Sequence, residues 1–109
     1  MSKIVISNKF KRAKSWGERF PSPKLFKRAF RKFTRRNTQL QARIEETITA
    51  LSDDIFNPSL GTHKLEGKLS GLLSCSCGYD CRIVFAIETE RDGEIFIVLL
   101  DVGTHNEVY

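Results

Sequence analysis

Two histidines are all the imidazole in this 109-residue chain, and each sits in a suggestive context. His63 stands before Lys64-Leu65, and His105 follows Gly103-Thr104. Imidazole takes or gives a proton near neutral pH, so each is a candidate general acid or base. On residue type alone plainer roles remain open: His63 as a strand-start residue bonded to backbone, His105 as a surface-loop residue. Arg82 alternates with Cys81 and Ile83, and Val84 beyond it is apolar, so Arg82 begins a sheet face at its rim. A guanidinium placed there can hold a phosphate through two parallel hydrogen bonds. Asp80 lies in the tight turn Gly78-Tyr79-Asp80, where aspartate also serves local backbone geometry. Tyr109 is the last residue, a position that ordinarily frays.

Cys75, Cys77 and Cys81 fall within seven residues. An odd, clustered set implies no disulfide framework. Zinc would need four ligands in tetrahedral array. His63 could be the fourth, but the spacing matches no common zinc motif. The expectation is three reduced thiols packed in a small sheet, with no metal or other cofactor. The N-terminal MSKIVISNKFKR lacks the apolar run of a signal peptide. No stretch approaches a membrane span. The cytosol is the expected compartment, where thiols stay reduced.

The net charge of +5 conceals a polar chain. Residues 1–50 carry 14 Lys/Arg against 3 Asp/Glu, and residues 51–109 carry 4 against 10. A cationic half of this strength suits a phosphate backbone or an acidic protein partner, although a solvated helix face can look the same.

The elements that must position these residues are readable from periodicity. Ile4 and Ile6 on one side, with Lys3, Val5 and Ser7 on the other, mark a short first strand over 3–7. Ser22 and Pro23 suit the N-cap and first turn of a helix reaching Arg36, with Leu25, Phe26, Ala29, Phe30 and Phe33 as its apolar stripe. The remainder of that helix is basic: Lys24, Lys27, Arg28, Arg31, Lys32, Arg35 and Arg36. Asn37 and Thr38 end it and cap the next, Thr38 with Gln41 fitting a capping box, and the second helix carries Leu40, Ile44, Ile48, Leu51 and Ile55 inward. A link this short predicts an antiparallel helical hairpin. Extended segments follow at about 62–67, 72–77, 81–88 and 94–101, with Arg91-Asp92-Gly93 as a hairpin turn. Ile95–Leu100 is apolar on both faces and reads as the central strand. Phe10-Lys11-Arg12-Ala13 recurs as Phe26-Lys27-Arg28-Ala29. The echo suggests an insertion of about 14–29 within a single domain spanning 1–109, with chance similarity in a basic stretch as the alternative.

Strand, two helices, then an antiparallel sheet is an α+β pattern. On it lie three blocks: HKLEGKLSGLLSC, GYDCRIVFAIE and LLDVGTHNEVY. In this order, and in so short a chain, they resemble the RelE superfamily of toxin–antitoxin ribonucleases. The first and last are similar to YafQ-type members. The resemblance covers about residues 24–109. It implies a microbial-ribonuclease-like fold, with an N-terminal strand and helical hairpin packed on a four-stranded antiparallel sheet. It implies messenger RNA cleavage in the ribosomal A site, and a cognate antitoxin as partner to an otherwise monomeric toxin.

The resemblance also implies roles. His105 matches a catalytic histidine and would be the general acid. His63 matches a second one and would be general base or phosphate orienter. Asp80 would orient a base or tune its pKa, Arg82 would clamp the transition state, and Tyr109 would stack on a base near the cut. Lys64 and Lys68 are lesser phosphate contacts. Lys27, Arg28, Arg31, Lys32 and Arg35 suit ribosomal RNA, offering charge without base readout. The chain departs from the YafQ pattern on the third strand. Ser74 and Ser76 stand where an Asp and a His are expected, and neither is an unaided base at neutral pH. Two other readings compete on the same scaffold. One is a ParE-like gyrase inhibitor, which would lack the two histidines. The other is a catalytically degenerate module that only binds RNA or antitoxin.

Overall fold

The computed structural model describes residues 4–7, 24–89 and 93–109. Five strands form one sheet: β1 (Ile4–Ser7), β2 (His63–Lys64), β3 (Leu73–Gly78), β4 (Cys81–Thr89) and β5 (Ile95–Gly103), in the order β1-β5-β4-β3-β2. The last four are antiparallel, as expected. The first strand joins them, pairing parallel with β5 so that Ile4 faces Ile95 and Ser7 faces Val98. The apolar Ile95–Leu100 run therefore lies between two strands, while β4 holds the centre.

The helices are α1 (Lys24–Phe33), α2 (Thr38–Asp53) and a short α3 (His105–Val108). Helix α1 lays Phe26, Ala29, Phe30 and Phe33 on the core that β3, β4 and β5 build with Ile44 and Leu51 of α2. Phe26 and Phe30 stack at 6.0 Å, one helical turn apart. Helix α1 ends earlier than the sequence suggests, in a turn where Arg36 adopts a left-handed φ of 58°. Asn37, not Thr38, caps α2, accepting from the Leu40 N–H at 3.0 Å. Gln41 bonds Glu45 instead of reaching back, so the Thr38–Gln41 capping box is not formed. Two adjacent polar residues can each cap, and the chain direction after Arg36 selects the first. Ile55 lies past the end of α2 yet remains buried. Ser22, Pro23, Arg91, Asp92 and residues 14–23 of the suggested insertion lie outside the described residues.

The sheet's two faces have different fates. Leu73, Cys75, Cys77, Ile83, Phe85, Ile97, Leu99 and Val102 meet the two long helices. Leu72, Val84, Ala86, Val98 and Leu100 face the other way, covered in part by Leu65, Leu69 and Val108. A bulge in β5 makes both assignments possible. Phe85 pairs with Leu99 but Val84 pairs with Asp101, which adds one residue and reverses the alternation. Val102 is thereby returned to the helix side, and Gly103 arrives opposite Arg82.

The cysteines correct the expectation of three reduced thiols. Cys77 and Cys81 form a disulfide across the β3–β4 turn, with Cα atoms 5.0 Å apart. That separation is normal for a disulfide. Gly78 at φ 135° and Asp80 at φ 50° bend the chain tightly enough to bring the two together. Cys75 is free and buried, and burial pushes its thiol up to about 12. Such a thiol is an inert core residue. Two of the three cysteines considered as zinc ligands are thus spent on each other. Among the described residues no group of three or more His, Cys, Asp or Glu could hold a metal ion.

Candidate active site

The face turned away from the long helices carries the polar residues at one end. Arg82 on β4 pairs with Ser76 on β3 and with Gly103 on β5, and His63 on β2 pairs with Ser74 on β3. Paired residues share a face, so period-2 alternation sets Ser74, Ser76, Arg82 and His63 together. Gly103 then feeds α3, which adds His105 and Tyr109.

Helix α3 is only four residues long and depends on its cap. Thr104 and Glu107 form a complete capping box. The Thr104 N–H donates to Glu107 Oε1 at 3.0 Å, and the Glu107 N–H donates to Thr104 Oγ1 at 3.3 Å. The Thr104 backbone N–H, and after it the Thr104 side chain, hold the Glu107 carboxyl below the usual glutamate range. Lys32 of α1 lowers it further, whereas Asp80 and slight desolvation oppose. Asp80 ties α3 to the sheet, its Oδ1 accepting from the His105 backbone N–H at 3.1 Å.

Within this frame the side chains converge. The Tyr109 hydroxyl donates to Ser74 Oγ, and Ser74 is fully buried. The His105 and Tyr109 rings meet edge to face with centroids 4.6 Å apart. The His63 Nδ1 bonds the Gly61 carbonyl at 3.0 Å. A carbonyl only accepts, so Nδ1 is the donor, and in the neutral imidazole the lone pair then lies on Nε2. Arg82 is anchored through Nη1 to the Cys81 carbonyl at 2.9 Å, with longer bonds to Ser76 Oγ and the Gly78 carbonyl.

Of the residues singled out from sequence, His63, Asp80, Arg82, His105 and Tyr109 are brought together at this end. Lys64 is not. It pairs with Leu73, a helix-side residue, and so alternates away from His63. Lys68 is exposed in the single turn Gly67–Leu69. Lys27, Arg28, Arg31, Lys32 and Arg35 line one open cleft along α1. Lys32 also belongs to a second cleft with Asp101 and Glu107, which links the basic helix to α3. In that cleft burial raises the Asp101 carboxyl, opposed by the Val102 N–H and reinforced by Glu107.

Three residues were undervalued in the sequence. Ser74 and Ser76, expected only as losses, serve as hydrogen-bond partners for Tyr109 and Arg82. Their two-residue spacing opposite Arg82 carried that signal. Glu107 was readable from Thr-x-x-Glu, the capping-box pattern.

No protein-family profile matches the chain, and no curated protein matches its sequence. Solved structures do match. The YoeB/ParE toxin from Agrobacterium tumefaciens superposes with a TM-score of 0.63 at 14% identity, covering 94% of this chain and 98% of that one. YafQ from E. coli gives 0.65 at 10% identity over 100% and 99% of the two chains. The chain has the fold of the RelE/YafQ-like toxins. A further match to this fold is the E. coli DinJ–YafQ toxin–antitoxin complex, with a TM-score of 0.59 at 12% identity over 99% and 97% of the chains. No helix among the described residues is long and apolar enough to cross a membrane.

Proposed function

We propose that the chain is the toxin of a type II toxin–antitoxin system, an endoribonuclease that cuts messenger RNA in the ribosomal A site. The observation that carries this reading is the convergence of His63, Arg82, His105 and Tyr109 at the polar end of one sheet face of a RelE/YafQ-like fold.

The chemistry is transfer of a phosphodiester to its own ribose. The 2′-oxygen attacks phosphorus, the bond to the 5′-oxygen breaks, and a 2′,3′-cyclic phosphate forms. His63 is suited to take the 2′-hydroxyl proton at Nε2, since Nδ1 is committed to Gly61. His105 delivers a proton to the departing 5′-oxygen, a role usually worth about 10²–10⁴-fold in rate. Arg82, anchored through Nη1, offers Nε and Nη2 as a fork for the charge that develops on the equatorial oxygens. Asp80 acts through the His105 backbone, so it is a positioning residue. Tyr109 packs against His105 and fixes its ring. Ser74 supports Tyr109, and neither serine is asked to be a base. The basic cleft along α1 and exposed Lys68 suit ribosomal RNA, with Lys64 a lesser contact on the sheet's far side.

A cognate antitoxin is the expected partner, as the DinJ–YafQ complex is for that neighbour. An acidic or helical segment lying over the α1 cleft would complement its charge. The test is cleavage of messenger RNA on programmed ribosomes by the wild type and His105→Ala. Ribosome-dependent cuts that fall at least about 10²-fold in the variant are expected. Equal cutting by both would move the acid elsewhere. No cutting by either, with DNA gyrase inhibited instead, would favour a ParE-like toxin. Binding of antitoxin without either activity would leave a degenerate module.

A further inference from the structure

The turn between β3 and β4 presents Tyr79 with 99% of its surface open. A lone exposed aromatic on a mobile loop means little, but this turn is held from three sides. The Cys77–Cys81 disulfide closes its base. Arg43 of α2 packs on Gly78 so closely that a Cβ there would lie 2.8 Å from Arg43 Cδ and Nη1. Asp80, next in the chain, adopts φ 50° and accepts the His105 N–H. Tyrosine has only two side-chain torsions, so fixing its backbone presents the ring at small entropic cost. Its chain neighbours are already committed to the site: Asp80 holds α3, and Arg82 begins the phosphate-facing rim. The aromatic ring and the cationic rim are two parts of a surface for single-stranded nucleic acid, one taking a base and the other the backbone.

We propose that Tyr79 is a stacking platform for an unpaired nucleobase flanking the scissile phosphate, and so helps determine where the RNA is cut. This rests on the RNA-cleaving reading above. It assigns the disulfide and Arg43 a purpose, to hold the platform still.

The test uses ribosomes programmed with messenger RNA that is 2′-O-methylated through the A-site codon, which blocks attack without altering the protein. 2-Aminopurine is placed in turn at each codon position and at the next nucleotide. Wild type, Tyr79→Phe and Tyr79→Ala are titrated, each first checked for an unchanged circular dichroism spectrum. Wild type and Tyr79→Phe should quench 2-aminopurine at one position and bind alike. Tyr79→Ala should lose that quenching and bind roughly 5- to 150-fold more weakly, the usual contribution of one stacked base. Equal quenching and affinity in Tyr79→Ala would overturn the proposal, as would a Tyr79→Phe defect as large as that of Tyr79→Ala. Cleavage of unmethylated message separates this from the catalytic reading. Tyr79-dependent quenching without any cutting would sink the ribonuclease and leave the platform standing. Cutting with no Tyr79-dependent quenching would do the reverse. No binding at all would remove both.

Discussion

The two faces of the sheet are built from the same strands and do opposite work. The helix-covered face is apolar from Leu73 to Val102. The opposite face, open only at its polar end, is apolar and buried along its middle, from Leu72 to Leu100, and polar where Ser74, Ser76, Arg82 and α3 meet. Burial holds the first face and the middle of the second, whereas hydrogen bonds between specific pairs order the second's polar end. Neighbouring residues on one strand should therefore fail in different ways. Phe85 and Arg82 on β4 test that most sharply. Phe85 is fully buried under the helices, so Phe85→Ala should cost about 3–5 kcal/mol. That is a large part of a small domain's total. Arg82→Ala should lower cleavage roughly 10²–10³-fold, the usual effect of removing one transition-state donor, while the melting temperature moves little. Urea titration and single-turnover cleavage on both variants would check the division. A severe stability loss in Arg82→Ala would mean that its three anchors are structural, and the contrast between faces would collapse.

Ser74 sharpens the comparison because it lies on the open face yet is fully buried. Its hydroxyl accepts from Tyr109, linking sheet to terminus. Ser74→Ala should cost about 1 kcal/mol, because it removes the bond but leaves the free hydroxyl on Tyr109, a residue 41% exposed. Tyr109→Phe strands the fully buried Ser74 hydroxyl instead and should cost about 1–3 kcal/mol. The double variant Ser74→Ala, Tyr109→Phe should be less damaged than the two losses added, since it leaves no polar atom unpaired. Strict additivity of the melting shifts would show that the two hydroxyls are not coupled.

The open face was also the harder one to read from sequence. The helix side follows largely from periodicity: Phe26, Ala29, Phe30 and Phe33 pack on the core as their spacing predicts, whereas Leu25, counted in the same stripe, is 38% exposed at its edge. His63, Asp80, Arg82, His105 and Tyr109 were legible as candidates, from residue type and from the resemblance to RelE-superfamily toxins. What joins them was not. The β5 bulge at Leu100–Asp101 has no residue-type signature, yet it decides that Gly103 meets Arg82. The parallel addition of β1 depends on pairing across most of the chain. The disulfide depends on two left-handed backbone positions, at Gly78 and Asp80, that spacing does not reveal. Asp80 is expected to orient a base or tune its pKa, and the contact that places it, to the His105 backbone N–H, has no signature in spacing. Long-range geometry, not composition, supplied each of these.

The smallest expected effect concerns how the open face keeps α3 in place. Glu107 is fully exposed, so its contribution is local order, not bulk stability. Its carboxyl is held below the usual glutamate range, first by the Thr104 N–H. A depressed folded value means that the stabilisation is present above the ordinary glutamate pKa and is lost as pH falls through the folded one. Protection of the Val108 and Tyr109 amides, which donate to Thr104 and His105 carbonyls, should therefore decline in acid once intrinsic exchange is corrected for. Hydrogen exchange read by NMR from about pH 6 down to about pH 3 covers the window around the ordinary glutamate value. Glu107→Gln should show weaker protection at neutral pH, by a few-fold, and a flat profile below it. The helix-side amides of Ile83 and Phe85 should ignore the same titration, since their bonds lie within the sheet. A parallel decline at both places would make acid loosening a property of the whole domain and erase the distinction between the faces. A decline confined to α3 would show that one exposed capping box holds His105 and Tyr109 where the sheet needs them.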